Sequence, residues 1–154
     1  MDTVESVFGN KVRVRVCGLC YKEDKILLVK HNLGSYNLWN PPGGGVNFEE
    51  SLEEGLVREF EEETGLSITP GKLLFVNEHI KFPYHAIEIF FNIAHWEGIL
   101  KKGTETEMHS KDIIEEVKFV SPEELKKIKK DELHKILKNC IYPRDILAIR
   151  GLIK

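Results

Sequence analysis

Short stretches of the chain alternate apolar and polar residues, and these stretches predict β-strands. Val12, Val14 and Val16 alternate with basic residues in KVRVRV, which is the period of two of a strand with one buried face. The apolar run at residues 26–29 predicts a second, largely buried strand, and the polar KEDK before it is typical of a turn. The first thirty residues therefore predict a hairpin of two paired strands.

The middle of the chain predicts two further strands, and a fifth follows near residue 116. KLLFVNEHI and residues 86–94 are rich in β-branched and aromatic residues and are joined by a turn around Pro83. Residues 116–120 predict a short strand. Residues 31–47 are rich in Gly, Pro and Asn, and residues 99–110 are mostly polar, so both segments are predicted to be loops.

Helical spacing replaces the alternation at two places. Ser51 and Glu54 have the spacing of a capping box and Gly65 stands where a helix commonly ends, so a helix is predicted over residues 51–64. A second helix is predicted to begin after Ser121, with Pro122 in its first turn.

The apolar stripe of this second helix indicates that the lysines of KKIKK form a solvated face, and residues 141–154 predict a short closing helix. The stripe consists of Leu125, Ile128, Leu133, Ile136 and Leu137. Strands and helices that do not alternate regularly predict an α+β fold, a mixed sheet with helices packed on its faces.

Composition limits the classes of function without choosing one. The chain has 154 residues, 42% of them hydrophobic, which suffices for one domain over residues 1–154. A net charge of −3 does not favour a nucleic-acid polymer as a partner. The first residues lack the pattern of a secretion signal, and no apolar run is long enough to span a bilayer. We therefore expect a cytoplasmic protein without a membrane partner.

The two cysteines of the C-x-x-C motif are predicted to be structural. Cys17 and Cys20 lie at the end of the first predicted strand, where residues three apart point to opposite faces. No second cysteine pair or nearby histidine supplies further zinc ligands. We interpret them as buried strand cysteines.

The first predicted helix carries an unusual group of acidic residues. At about 100° per residue, Glu59, Glu62 and Glu63 share one face, beside an apolar arc that includes Leu56 and Phe60. Crowded carboxylates next to a core repel one another and lose solvation unless a cation binds them. Their hard oxygen atoms suit Mg²⁺ or Mn²⁺, which can also bind phosphate. A merely solvated acidic helix does not explain the shared face or the glycine-rich segment before it.

The same segment resembles the Nudix box, GX5EX7REUXEEXGU, in which U is a bulky aliphatic or aromatic residue. Every specified position matches without a gap, and the matching residues are Gly44, Glu50, Arg58, Glu59, Phe60, Glu62, Glu63, Gly65 and Leu66. The resemblance implies a Nudix-like α/β/α sandwich. It also implies a pyrophosphohydrolase that acts on a nucleoside diphosphate linked to another moiety, such as a nucleoside triphosphate or a sugar nucleotide, through water attack on phosphorus.

The resemblance assigns roles to the residues of the box. Glu59, Glu62 and Glu63 are the implied ligands of Mg²⁺, or of Mn²⁺, together with the backbone carbonyl of Gly44. Arg58 and Glu50 are implied to orient the carboxylates, and Glu59 or Glu62 to help deprotonate the water. Because some members use a base outside the box, the candidates Glu107, Glu115 and Glu116 stay open.

Substrate choice lies outside the box, and several alternatives stay open there. Trp39 and Asn40 resemble a dipeptide of members that hydrolyse oxidised purine nucleotides, where the Asn contacts the base, but Asn40 can equally be a turn residue. Lys30 and the following histidine can contact phosphate, or Lys30 can protect a strand edge. Pro83 and Tyr84 lie near the spacing of ADP-ribose or dinucleoside-polyphosphate members and can equally be hairpin residues.

Two classes of function therefore remain. The first is an active hydrolase with a nucleotide-type small-molecule substrate. The rival is a non-catalytic nucleotide-binding regulatory Nudix module, which loss of box carboxylates would have favoured. The sequence leaves the exact substrate, the number of metal ions, the phosphorus attacked and the oligomeric state open, and the resemblance adds a homodimer as a candidate assembly.

Overall fold

Two β-sheets and one long helix frame the protein in a computed structural model that describes residues 3–103 and 113–153. The helices are α1 (Val4–Phe8), α2 (Leu52–Thr64) and α3 (Pro122–Lys127), with 3₁₀ turns at Lys130–Glu132, Lys135–Leu137 and Pro143–Ala148. The strands are β1 (Val12–Leu19), β2 (Tyr21–Lys22), β3 (Lys25–Asn32), β4 (Asn37–Asn40), β5 (Gly43–Gly45), β6 (Ser67–Lys81), β7 (Tyr84–Glu97), β8 (Ile114–Val120) and β9 (Gly151–Ile153).

The first sheet has the order β5-β1-β7-β6-β9 and is mixed. β1 runs parallel to β7, and β6 runs parallel to β9, whereas the β1–β5 and β6–β7 pairs are antiparallel. The second sheet has the order β2-β3-β4, with β8 paired to the other edge of β3, and its pairs are antiparallel. The predicted α+β class with a mixed sheet is confirmed.

The predicted hairpin of the first two long strands is wrong, because β1 and β3 belong to different sheets. Only the short β2 pairs with β3. The alternation in KVRVRV located β1 correctly, but its main partner is β7, which lies about seventy residues further along the chain. Nonlocal pairing of this kind leaves no signal in the local pattern.

The predicted loop over residues 31–47 is also wrong in part, because β3 continues to Asn32 and two short strands follow. Gly43 lets β5 approach β1 closely, since an added Cβ at Gly43 would collide with the carbonyl oxygen of Val16. The glycines therefore allow a close strand pairing rather than an open loop.

The second predicted helix begins as expected but ends early. Ser121 caps α3 and forms a capping box with Glu124, yet α3 ends at Lys127. The apolar residues further along are buried by 3₁₀ turns, in which side chains three apart share a face much as in an α-helix. The predicted closing helix over residues 141–154 is likewise a 3₁₀ turn followed by β9. Residues 104–110 of the second predicted loop lie outside the described residues.

Helix α2 packs against strands of both sheets. Leu56 and Phe60 on α2 are fully buried in one cluster with Val16, Leu27 and Phe91. This burial fixes the rotation of α2 about its axis, and with it the direction of its acidic face.

A second cluster lies on the opposite face of the first sheet. It is built around the stacked rings of Phe75 and Phe90, whose centroids are 4.6 Å apart. Cys17 belongs to this cluster and Cys20 to the cluster beneath α2, so both are buried as interpreted from the sequence. None of the helices in the described ranges has the length and apolar character of a membrane span.

Candidate active site

Helix α2 begins and ends as its sequence predicts. The Ser51 hydroxyl accepts from the backbone N–H of Glu54 at 3.1 Å, and the Glu54 carboxylate accepts from the N–H of Ser51 at 3.1 Å. Gly65 ends the helix in the left-handed region with φ of 75° and donates to the carbonyl oxygen of Glu61. The predicted helix over residues 51–64 is confirmed, with Ser51 as its cap.

The acidic face of α2 is turned toward the interior. Glu59 and Glu63 are 1% and 0% exposed, the side chain of Glu62 is 27% exposed, and Glu61 is exposed on the other face. Buried carboxylates are stable only when donors or cations compensate them. The structure therefore places three acidic side chains where compensation is required.

Arg58 supplies part of that compensation from the same helix. Its guanidinium donates two hydrogen bonds to Glu50, at 2.7 and 2.8 Å, in a bidentate pair. It also donates to Glu59 at 2.8 Å, to Glu62 at 3.2 Å and to the carbonyl oxygen of Gly45 at 3.0 Å. One cation thus ties three carboxylates to the glycine-rich segment.

The Arg58–Glu50 pair is held in its ionised form. Hydrogen bonds from Arg58 lower the pKa of Glu50 to about 2. Partial burial opposes this shift, and a hydrogen bond from the backbone N–H of Asn47 adds to it. The hydrogen bonds between Arg58 and Glu50 also raise the pKa of Arg58. Glu50 also lies beside Gly55, where an added Cβ would be 3.0 Å from a Glu50 oxygen and would press on this carboxylate.

The glycine-rich segment lies directly against the carboxylates. The backbone N–H of Gly43 donates to Glu63 at 2.9 Å. An added Cβ at Gly44 would lie 2.5 Å from a Glu59 oxygen, so a larger residue at this position would displace the Glu59 carboxylate. The backbone of Gly44 therefore lies next to Glu59, and the metal-binding role of its carbonyl stays a prediction.

The donor set suits a hard divalent cation, although the side chains are not gathered around one point. Among the described residues, no three acidic, histidine or cysteine side chains lie together in a group that could hold a metal ion. Arg58 draws Glu59 and Glu62 toward its guanidinium, and Glu63 faces the N–H of Gly43. Oxygen donors beside a glycine backbone match Mg²⁺ or Mn²⁺, and binding would exchange bonds to Arg58 for bonds to the ion.

His31 joins the acidic group from the second sheet. Its Nε2 lies 3.3 Å from a Glu63 oxygen, and its Nδ1 lies 3.0 Å from the side-chain oxygen of Asn40. Sequence reasoning gave this histidine as either a phosphate contact or a solubilising residue of a strand edge, and it missed the place of His31 beside Glu63. The sequence put His31 in the predicted loop over residues 31–47, whereas the structure places it on β3.

A cavity of about 520 Å³ opens beside His31 and Asn40. It is lined by side chains from both sheets and from the segment after α3, including Tyr84, Glu88 and Leu133. The size matches that of a small-molecule site. The predicted substrate residue Asn40 is thus placed at the cavity, where Tyr84 also lies.

A buried polar cluster lies along the cavity. Glu88 accepts from Arg15, from Asn77 at 3.0 Å and from His134 at 2.7 Å. Burial by itself would raise the pKa of Glu88, but His134, Arg15 and Asn77 together hold it well below its ordinary value. Sequence reasoning missed this cluster because its members come from four separate segments.

The other predicted substrate residues lie away from the cavity. Trp39 is packed in the core with 6% exposure, and Lys30 lies over the Trp39 ring and 3.5 Å from Glu115. Neither Trp39 nor Lys30 lines the cavity as the described residues form it. Of the candidate bases outside the box, Glu115 and Glu116 are exposed on β8, and Glu107 lies outside the described residues.

Comparisons with known proteins agree with the geometry. The NUDIX domain family matches residues 9–140. Phosphatase NudJ of Escherichia coli is 31% identical over 118 residues, which cover 75% of this chain and 72% of that protein. The putative ADP-ribose pyrophosphatase YjhB of Bacillus subtilis is 36% identical over 98 residues. These cover 59% of this chain and 45% of YjhB, so the match spans less than half of that relative.

The fold also matches solved structures. The MutT protein of Methanosarcina mazei superposes with a TM-score of 0.64 at 25% identity, over 90% of this chain and 91% of that protein. This match covers most of both chains. It supports the same α+β sandwich that the strand order shows.

Proposed function

Since the chain belongs to the Nudix hydrolase family, we propose that it hydrolyses a pyrophosphate bond in a nucleoside diphosphate linked to another moiety, with Mg²⁺ as the metal and Mn²⁺ as a substitute. One observation carries this proposal. The backbone of Gly43 and Gly44 packs directly against Glu63 and Glu59, on a helix face that also presents Glu62. This arrangement supports a metal site formed by the three carboxylates and the neighbouring glycine backbone.

Glu59, Glu62 and Glu63 would hold the ion with the carbonyl oxygen of Gly44. When bound, a divalent ion neutralises phosphate charge and lowers the pKa of an attacking water. Before the ion binds, Arg58 holds two of these carboxylates through its hydrogen bonds. Its own position is fixed by the bidentate pair with Glu50, which is a supporting role of the kind that outer ligands play in metal sites.

The proton of the attacking water has two candidate acceptors within the box. We place it on Glu62, because the 27% exposure of its side chain lets water approach, whereas Glu59 is 1% exposed. Glu59 is the alternative. The water would attack phosphorus, and the bond from that phosphorus to the bridging oxygen would break.

The cavity beside Asn40 would take the nucleoside part of the substrate. Its wall offers the Asn40 amide and the Tyr84 ring, which suit hydrogen bonding to and packing against a heterocycle. An ADP-ribose or dinucleoside-polyphosphate substrate is the second candidate. The name of the relative YjhB, a putative ADP-ribose pyrophosphatase, favours it, as does the place of Tyr84 in the cavity wall.

A substrate panel tests the proposal. The purified chain is incubated with nucleoside triphosphates, sugar nucleotides, ADP-ribose and dinucleoside polyphosphates, with Mg²⁺ or with chelator, and phosphate products are measured. We expect hydrolysis of at least one compound with Mg²⁺ and none with chelator.

Two variants of the same helix provide the matched comparison. Glu62→Gln removes a proposed ligand charge and should lower kcat by roughly a hundredfold or more. Glu61→Gln makes the same chemical change on the exposed face and should keep kcat near the parent value. Equal activity of the parent and Glu62→Gln would rule out the assigned role. Nucleotide binding without turnover of any compound would support the rival regulatory module.

A further inference from the structure

We propose that His31 and Asn40 form a positioning pair that orients Glu63 and connects this carboxylate to the substrate cavity. The inference rests on the proposed function, because it treats Glu63 as a metal ligand. The three side chains form one chain of contacts: Asn40 and His31 both line the cavity, His31 contacts Asn40, and Glu63 contacts His31.

The three side chains of this contact chain are buried, which limits the partners available to each of them. Asn40, His31 and Glu63 are 3%, 6% and 0% exposed, so water has little access to replace a lost partner. The two ring nitrogens of His31 face these two partners, with Nε2 toward Glu63 and Nδ1 toward the side-chain oxygen of Asn40. A buried polar group that loses its partner is costly, and the arrangement of the pair is therefore well defined.

The strands explain how a histidine reaches this position. His31 and Asn40 are diagonal neighbours on β3 and β4, since Val29 pairs with Asn40 and His31 with Leu38. The pairing of β3 with β8 shifts register between Lys30 and His31. Irregularities of this kind re-aim side chains and are frequent beside active sites.

Glu63 is fixed from two sides. One carboxylate oxygen accepts from the backbone N–H of Gly43 at 2.9 Å, and the other lies 3.3 Å from His31. Two donors from different segments define the plane of the carboxylate. Groups that orient a metal ligand in this way typically change metal affinity by about 10–100-fold when they are removed.

Asn40 extends the effect to the cavity. Its side-chain oxygen contacts His31, while the residue forms part of the cavity wall. A substrate group that moves the Asn40 side chain would change the position of His31 and so of Glu63. Binding of the nucleoside part would in this way favour the geometry needed for the reaction, which raises kcat rather than only lowering KM.

Mn²⁺ binding measured by electron paramagnetic resonance tests the pair without relying on activity. Asn40→Leu should weaken Mn²⁺ affinity by about tenfold, although Asn40 is not itself a proposed ligand. Asn37→Leu, a change of the same type at the other end of β4, should leave the affinity within about twofold. Thermal unfolding of both variants checks that each is folded at the assay temperature.

Two variants of His31 separate its two contacts. His31→Gln can keep a donor near Nε2 for Glu63, and His31→Asn can keep a group near Nδ1 for Asn40. His31→Gln should bind Mn²⁺ more tightly than His31→Asn, because only the glutamine keeps a contact with Glu63, and both should bind it less tightly than the parent. With the preferred nucleotide, both variants should lose about tenfold in kcat with a smaller change in KM, because each breaks the connection once.

The outcomes distinguish the two proposals. A parent chain that binds no Mn²⁺ would overturn the proposed function itself. A parent that binds Mn²⁺, with Asn40→Leu and His31→Asn binding equally well, would overturn the positioning pair alone. Full kcat in His31→Gln would show that Asn40 has no part in positioning and would also overturn the proposal.

Discussion

Glu88→Gln should destabilise the protein strongly, although it changes a single carboxylate oxygen to an amide nitrogen. Glu88 is 3% exposed and accepts hydrogen bonds from Arg15, Asn77 and His134. A glutamine keeps one acceptor oxygen but turns an NH₂ group toward one of these donors. It also removes the negative charge beside the Arg15 guanidinium, whose side chain is 14% exposed.

The expected loss can be worked from the burial of the pair. Removing one partner of a buried ion pair typically costs about 3–5 kcal/mol, and the partial exposure of Arg15 favours the lower end, about 3 kcal/mol. With a urea dependence of about 1–3 kcal/mol per molar, the unfolding midpoint should fall by about 1–3 M. Urea unfolding followed by circular dichroism at pH 7 measures this shift.

The stability lost in Glu88→Gln should depend on pH, and the pKa of Glu88 determines the direction of that dependence. The pKa of Glu88 is held well below its ordinary value of 4.5 in the folded protein. Its stabilising contribution is therefore complete above that ordinary value and is lost as the pH falls toward the folded pKa. The gap between parent and Glu88→Gln should be widest near pH 7 and should narrow below about pH 4.

A double variant is the control. Replacing the pair together, with Arg15→Met and Glu88→Leu, should cost less than the sum of the single changes, because the two side chains interact directly. A Glu88→Gln variant within about 1 kcal/mol of the parent at pH 7, or a gap that does not change with pH, would refute the reasoning.

Three further predictions concern single positions. Gly44→Ala would push the added Cβ into Glu59, so kcat should fall by at least about tenfold while the chain stays folded, and an unchanged kcat would contradict the close approach. Gly65→Ala places a side chain at a φ of 75° and should cost about 1–3 kcal/mol in urea unfolding, so a neutral result would count against the left-handed cap. Burial raises the pKa of Cys20 to about 12 and that of Cys140 to about 11. Because Cys140 is also the less buried thiol, iodoacetamide followed by mass spectrometry should modify it first, and the reverse order would refute this.

The sequence predicted those features of the site that depend on local spacing. The box lies within one contiguous segment, and the helix periodicity of Glu59, Glu62 and Glu63 was enough to place them on one inward face. The caps of α2 were predicted for the same reason. Ser51 and Gly65 act only on neighbouring backbone groups, so their spacing carries the whole signal.

Features that depend on distant contacts were not predicted. β1 pairs with β7, and this pairing depends on how whole faces of the sheet pack rather than on any local sequence pattern. Glu88 meets Arg15 and Asn77 across the pairings of β7 with β1 and β6, and it meets His134 from the segment after α3. The place of His31 beside Glu63 likewise depends on how the second sheet lies against α2.

Two other predictions were wrong because the same pattern in the sequence is compatible with two different structures. Apolar residues three apart predicted that the helix after Ser121 continues, but 3₁₀ turns bury Ile136 and Leu137 with similar spacing. Glycine enrichment predicted a loop, whereas β5 uses its glycines to pair with β1. In both cases composition identified the segment and tertiary contacts decided its conformation.

Direct titration of Mn²⁺ into the protein tests the central claim, which is that the acidic face of α2 holds a divalent ion. Calorimetry of the parent, Glu59→Gln and Glu61→Gln compares a buried carboxylate of that face with an exposed one on the same helix. Saturable binding by the parent and Glu61→Gln, with at least about tenfold weaker binding by Glu59→Gln, is the result we predict. Absence of binding by the parent, or equal affinity in all three proteins, would contradict the claim.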